Sequence, residues 1–296
     1  MKTYCDKVIV FMIVKVLTNH IVASTCEYPS CKDGSPHSIC IYPKTLDRSA
    51  PKCSSEEARG GLKDEYVQAI LHAHNELRQK VAQGKQPGQP GAANMMKLKW
   101  DSELAEIAQA FANSCERDGL AHDKCRNLKD GTEVGQNSGN DTFVLRDGAN
   151  RTDLFYRMVQ LWYDEVSLFD SRFVDKYTFS NETGHYTQVV WADTDRIGCG
   201  YIEQDKTMFF TYVYEFYQPV RMKCNYAVSG NWVGMPVYKV GEPCSKCPTG
   251  THCSEKYPGL CTGELDEKSS SSILRSHSLQ NAGLEVIVLV SIYYYV

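Results

Sequence analysis

The sequence predicts an α+β protein, a central domain flanked by two cysteine-rich segments. Apolar residues recur at spacings of three and four in Asp64–Gln83, Asp101–Cys115 and Thr152–Phe169, and the period changes to two from His185. Four cysteines lie within residues 25–60 and four within 241–262. The 296 residues divide into a signal segment (1–24), a cysteine-rich extension (25–60), the central domain (61–240), a short cysteine-rich segment (241–262) and a disordered tail (263–296).

Lys2 and Lys7 precede an apolar run from Val8 to Val16, and Val22 and Ser24 suit the small-residue positions before a cleavage at Ser24–Thr25. Lys15 interrupts the run, and a buried helix is the competing reading. Removal of this segment takes Cys5 away and leaves twelve of the thirteen cysteines, an even number that in a secreted chain points to disulfides. Secretion and an extracellular location are therefore expected. Asn140, Asn150 and Asn181 each head an Asn-x-Thr triplet in polar sequence and are expected glycosylation sites. A hydrophobic fraction of 42% and a charged fraction of 23% are ordinary for a globular chain. The net charge of −4 supplies no basic footprint, which argues against a nucleic-acid partner.

Residues 25–60 hold Cys26, Cys31, Cys40 and Cys53 among Pro, Gly and Ser, a composition that cannot bury a core without covalent staples. The first helix is expected over Asp64–Gln83, with Val67, Ile70, Leu71, His74, Leu77 and Val81 on one stripe, and Gly84–Gly91 ends it. Asp101 is a suitable N-cap for a second helix that buries Leu104, Ile107, Ala108, Phe111, Ala112 and Cys115. Residues 117–150 are polar and Gly-rich and predict no element. A third helix is expected over Thr152–Phe169, with Leu154, Met158, Leu161, Trp162, Glu165 and Val166 on its stripe. Strands are expected at Tyr186–Trp191, Gly198–Gln204 and Thr207–Tyr217, with a turn at Asp205-Lys206 and a bridge between Cys199 and Cys224 able to close the hairpin. The chain ends in an apolar run, Val286–Val296, too short to span a bilayer. It can be read as a lipid-anchor signal or as a disordered tail; the disordered tail is preferred, and membrane anchoring is not expected.

Glu165 falls on the apolar stripe of its own predicted helix. A carboxylate there must be paired, metal-bound, turned to a cleft or capping backbone amides, because burial alone is costly. His185 opens the β-branched octet Gly184–Trp191, and His122 lies between Cys115 and Cys125. Two imidazoles and a carboxylate from distant segments are the ingredients of an open zinc site or of an acid/base cluster. His72 and His74 are two apart on a helix and cannot chelate together, so His74 reads as a core histidine. Cys244, Cys247, Cys253 and Cys261 can be read as a zinc knuckle or as two disulfides, and the secretory context favours the disulfides.

Gly184–Trp191, Cys224-Asn225-Tyr226 with Gly230-Asn231-Trp232, His74–Arg78 (HNELR) and Leu161–Val166 (LWYDEV) together resemble the CAP superfamily of cysteine-rich secretory, antigen 5 and pathogenesis-related 1 proteins. His122–Asn127, Val134–Asn137 and the Asn94-Met95-Met96 stretch leading to Leu98 and Trp100 are similar to arthropod venom allergen 5 proteins within it. The resemblance implies a three-layer α-β-α sandwich and disulfides Cys26–Cys40, Cys31–Cys125, Cys53–Cys115 and Cys199–Cys224. The last four cysteines resemble the disulfide-rich hinge of cysteine-rich secretory proteins, which implies Cys244–Cys253 and Cys247–Cys261. The larger ion-channel-regulatory module of those proteins has no counterpart. The resemblance also implies a cleft of two histidines and two acids at His122, Glu165, His185 and the position of Gln136. Here Gln136 stands where many members carry Glu, and an amide can be neither a base nor a carboxylate ligand.

A secreted venom or salivary protein that acts by binding is the leading expectation, with no required cofactor. Ligands implied by the resemblance are sterols or other lipids, a host protein, or Zn or another divalent cation at His122 and His185 with Glu165. The alternatives are an ion-channel-modulating toxin and a metal-dependent hydrolase with Glu165 as base.

Overall fold

The protein is described by a computed structural model that covers residues 26–42, 61–114, 121–144, 151–203, 208–210 and 215–263. The signal segment, the expected Cys53–Cys115 bridge, Asn150, the turn at Asp205-Lys206 and the tail lie outside the described residues. Among the described residues no helix is long and apolar enough to cross a membrane.

A four-residue helix α1 (Ser38–Ile41) lies in the N-terminal extension. Helix α2 (Asp64–Ala82) starts with Asp64 and Glu65 and has Lys80 in its last turn, charges that suit the helix dipole. It buries Tyr66, Ile70, Ala73, Leu77 and Val81. Strand β1 (Lys99–Trp100) leads into α3 (Ser102–Ala112), where the Asp101 carboxylate accepts from the Leu104 amide at 3.0 Å as an N-cap. Strand β2 (Gly135–Val144), helices α4 (Arg151–Asp164) and α5 (Gly184–Val189), and strands β3 (Arg196–Glu203), β4 (Met208–Phe210) and β5 (Glu215–Ala227) complete the domain. A small ribbon of β6 (His252–Cys253) and β7 (Cys261–Thr262) follows.

The main sheet runs β1-β3-β5-β2, with β4 also on β5. Strand β1 pairs parallel to β3, and the remaining pairs are antiparallel. Ile197, Cys199 and Tyr201 join Met222, Cys224 and Tyr226 in the larger core, packed with the apolar stripes of α2, α4 and α5. The intervening Gly198 and Gly200 face α3. A smaller core joins Leu104, Ile107 and Ala110 of α3 to Tyr28 and Ile39 of the extension, and to Leu128, Val134 and Ala227. The extension thus contributes side chains to a core that it could not bury by itself.

Four expectations require correction. The strand expected at Tyr186–Trp191 is the helix α5: Tyr186, Thr187, Gln188 and Val189 are all buried, and a short run buried all round has no periodicity to separate strand from helix. The third helix stops at Asp164 and tightens into a 3-10 turn at Glu165–Ser167, so Leu161 is exposed while Trp162 is buried. The polar stretch 117–150 contains β2, whose Gly, Asn, Ser and Asp residues have low strand propensity; ten residues of pairing with β5 outweigh it. Finally, the expected second and third β-run strands (Gly198–Gln204 and Thr207–Tyr217) shift to Arg196–Glu203, Met208–Phe210 and Glu215–Ala227.

Disulfides Cys26–Cys40 and Cys31–Cys125 staple the extension. Cys199–Cys224 joins directly opposed residues of β3 and β5. Cys244–Cys253 and Cys247–Cys261 close the C-terminal segment. The sulfurs of Cys244, Cys247 and Cys261 lie within 4.8 Å of one another, but all three are consumed in disulfides and offer no thiolate to a metal. This segment docks on the domain through Cys261, whose amide donates to the Met95 carbonyl at 2.7 Å and whose carbonyl accepts from the Lys97 amide at 2.8 Å.

The two glycines around Cys199 set the distance between sheet and helix. A Cβ on Gly198 would lie 2.2 Å from the Ala105 nitrogen, and one on Gly200 would lie 2.3 Å from the Gln109 nitrogen and Cα. The clashing atoms are backbone and cannot swing away. Gly200→Ala is therefore expected to lower unfolding free energy by about 1–3 kcal/mol through overpacking. Urea denaturation with the disulfides intact measures it, and an unchanged midpoint would show that α3 can move off the sheet freely.

Candidate functional site

A cleft of about 300 Å³ opens between β2, α5 and the Ser229–Asn231 loop. His122, Gln136 and His185 line it, with Arg126, Asn137, Phe179, Asn181 and Gln188 also on its walls. Glu165 is absent from that lining and stands behind His185.

The Glu165 carboxylate is fully committed. One oxygen is 2.6 Å from His185 Nδ1, and the other accepts from the His185 and Tyr186 amides at 2.9 and 3.0 Å. It orients the imidazole and satisfies the first amides of α5 together. A carboxylate facing Nδ1 can only accept, so Nδ1 carries hydrogen and Nε2 is the remaining edge. The His185 ring also stacks on Trp162, with centroids 6.1 Å apart and planes 21° apart.

His122 is held differently. Its Nδ1 lies 2.9 Å from Gln136 Oε1, Gln136 Nε2 donates to Asn225 Oδ1 at 2.8 Å, and Asn225 Nδ2 donates to the Leu104 carbonyl at 3.3 Å. Burial is the main cause holding the His122 pKa below its ordinary value, opposed by the bond to Gln136 and reinforced by Arg126, Lys223 and His185. Arg126 itself is tied to Asp123, with Nη1 2.8 Å from Oδ1, and its Nε donates to the Val134 carbonyl. Lys223 reaches the Ala121 carbonyl and the Ser138 hydroxyl.

The fold therefore brings His122, Gln136 and His185 to one cleft and places Glu165 as the residue that orients His185. Among the described residues, no group of three His, Cys, Asp or Glu ligand atoms within 4.8 Å includes these histidines. Each imidazole has an oxygen acceptor on Nδ1, an arrangement that raises the basicity of Nε2 toward a divalent cation. Two protein ligands are fewer than the three of a catalytic zinc site. Asn140 and Asn181 are exposed, and Asn181 stands at the cleft wall.

Sequence reasoning missed the residues that hold these groups. Asn137 Nδ2 donates to the His185 carbonyl at 3.1 Å, and lies 3.4 Å from the Tyr226 hydroxyl. The Gly230 amide donates to Gln188 Oε1, and Asn231 bonds both Thr187 and the Gly184 carbonyl. The clue lay in the density of amide side chains next to the aromatic motifs, since buried amides must find partners.

A Microctonus hyperodae protein named venom allergen 5 is 36% identical over 243 residues, spanning 77% of this chain and 97% of its own length. The chain belongs to the CAP family. The family profile, described as the cysteine-rich secretory protein family, matches residues 71–216. A Solenopsis invicta venom allergen 3 is 37% identical over 234 residues, covering 76% of this chain and 92% of that protein. Among solved structures, NaASP2 with Zn2+ aligns at 25% identity and a TM-score of 0.50, covering 71% of this chain and all of that one. The chain is thus a CAP protein of the venom-allergen type, with the α+β fold of its structural neighbours.

His74 of this CAP protein is fully buried. Its Nδ1 faces the Ile70 carbonyl at 2.8 Å and its Nε2 the Tyr226 hydroxyl at 2.9 Å. Burial pushes its pKa from 6.5 down to about 4. The folded state then binds fewer protons than the unfolded state between these values. The contribution of His74 leaves stability intact above pH 6.5 and lowers it by about 1.4 kcal/mol per pH unit as the pH falls toward 4. Urea unfolding from pH 7.5 to 4.5 should show that slope, and His74→Gln should flatten it; an unflattened slope would place the proton uptake elsewhere.

Proposed function

We propose that this CAP protein is a secreted venom-type component that works by binding, with a divalent cation such as Zn2+ as a cleft ligand and no hydrolytic step. One observation carries the non-hydrolytic reading: among the described residues, no acid at the cleft is free to take a proton. Both Glu165 oxygens are engaged by His185 and Tyr186, and the place beside His122 is held by an amide. Among the chain's own residues, His122 and His185 would hold the cation through Nε2, with Gln136 and Glu165 orienting the rings. A bound divalent cation would supply Lewis acidity, but a hydrolase needs a base beside it, and Glu165 reaches the cleft only by abandoning the N-terminus of α5.

A protein partner is supported by the exposed apolar residues beside the cleft. Phe179 lines the wall, and Trp232, Val233 and Met235 follow the cleft residue Asn231 in the chain. Their two segments are paired by the Tyr177 amide to the Met235 carbonyl at 2.9 Å and the Gly234 amide to the Tyr177 carbonyl at 2.8 Å. Apolar side chains held on a bonded rim suit an interaction surface. The number of cysteines and the apolar leader support secretion.

Calorimetric titration with Zn2+ tests the cation reading. Wild type should bind one ion, and His122→Ala and His185→Ala should each weaken binding by tenfold or more, about the loss expected for a ligand in a site of few ligands. Equal affinity in all three would overturn it. Incubation with casein or a peptide library should show no turnover with or without Zn2+; turnover abolished by Glu165→Gln would establish the hydrolase instead.

A further inference from the structure

We propose that Asn225 is a positioning residue: through Gln136 it fixes the tautomer of His122, so that Nε2 is left as an electron-pair donor facing the cleft. One atom in this row has a role that cannot change. The Leu104 carbonyl oxygen only accepts hydrogen bonds. The Asn225 atom facing it must therefore be the donor Nδ2, at 3.3 Å. That turns Oδ1 toward Gln136, and an oxygen there demands the donor Nε2, at 2.8 Å. Gln136 then presents Oε1 to His122 at 2.9 Å, and an acceptor facing Nδ1 requires that this nitrogen carry the hydrogen. The polarity of three side chains is deduced from a helix carbonyl, independent of how either amide is drawn.

The amides cannot escape the constraint by moving. Asn225 is fully buried on β5, in register with Gly198 of β3 and Gln136 of β2, and Gln136 is itself buried. Reversing either amide would set two oxygens or two NH2 groups against each other inside the protein, at a cost of about 1–3 kcal/mol for each polar group left unmatched. Water alone favours hydrogen on Nε2 of a neutral imidazole, the tautomer that cannot donate electrons into this cleft. The relay from Leu104 reverses that preference. On the opposite wall, the Glu165 carboxylate does the same for His185 without a relay, because both of its oxygens accept. Gln136 therefore differs from a carboxylate in one respect: it can play the acceptor only while Asn225 holds it.

The consequence for cation binding rests on the reading proposed above; the tautomer itself does not. Long-range 15N–1H correlation spectra of metal-free protein at neutral pH read it directly. Wild type should show His122 with hydrogen on Nδ1. Asn225→Leu, which removes both amide groups, should move His122 to the Nε2–H form. Asn225→Leu combined with Gln136→Glu should restore Nδ1–H, because a carboxylate accepts in either orientation. Asn225→Ala also removes both amide groups and should give the same Nε2–H form, which supplies a second variant if leucine prevents folding. Zn2+ affinity should follow the tautomer, about 10–100-fold weaker in Asn225→Leu and regained in the double variant. Hydrogen on Nε2 in the wild type, or an unchanged tautomer in folded Asn225→Leu, would overturn the inference. Tautomers as expected with no Zn2+ binding in any variant would instead overturn the cation reading and leave the positioning role of Asn225 standing.

Discussion

The Arg78 guanidinium, fully buried, holds together the parts on which the cleft stands. Its nitrogens donate to the carbonyls of Met96, Val189, Trp191, Ala192 and Thr194 at 2.7 to 3.3 Å. Burial lowers its pKa to about 9, still well above neutrality, so the cation persists inside the protein. One charged fork thereby collects carbonyls at the end of α5, the turn before β3 and the segment before β1, and fixes all three to α2. Hydrogen bonds to a charged group contribute about 1.5–3 kcal/mol each, and carbonyls left without partners would each incur a desolvation penalty. The carbonyls of Trp191 and Ala192 also accept from the Thr194 and Met96 amides, so Arg78 adds a charged donor to a turn already tied by backbone bonds.

Commitment of polar groups governs the cleft as well. Asn75, one turn before Arg78 on α2, bonds both the amide and the carbonyl of Leu98, and so fixes the chain entering β1. His74 runs through Tyr226 toward Asn137, and Asn137 reaches the carbonyl of His185. Glu165 caps α5 and orients His185 with the same two oxygens. Almost every polar atom around the imidazoles is spent on holding another group in place. Under the proposed binding reading, these bonds keep two nitrogen lone pairs in fixed positions.

Legibility in the sequence followed the physical signal available. Helices α2 and α3 were readable because their stripes are long, and because Asp101 supplies a local cap. The two glycines beside Cys199 were visible as a motif, although their purpose, contact with the α3 backbone, was not. Helix α5 is not legible because its four buried residues carry no amphipathic period, and its stabilising cap comes from Glu165, twenty residues away. Strand β2 was missed because its pairing with β5, rather than its own propensity, makes it a strand. Of the candidate site, His122, Gln136, Glu165 and His185 were all legible by type and motif, but their division into cleft walls and supporting groups was not.

The sequence by itself determined the α+β class, the stapled segments at either end and the presence of an amide where a second acid would permit acid/base chemistry. These follow from residue type and local period, which the chain carries wherever it folds. Only the tertiary structure decided that Glu165 is spent on His185 and the Tyr186 amide, that α5 is a helix, and that Leu104, Asn225, Gln136 and His122 lie in one hydrogen-bonded row. The reason is that a hydrogen bond's direction depends on what stands opposite, and in this protein the partners are 14 to over 100 residues apart in the chain.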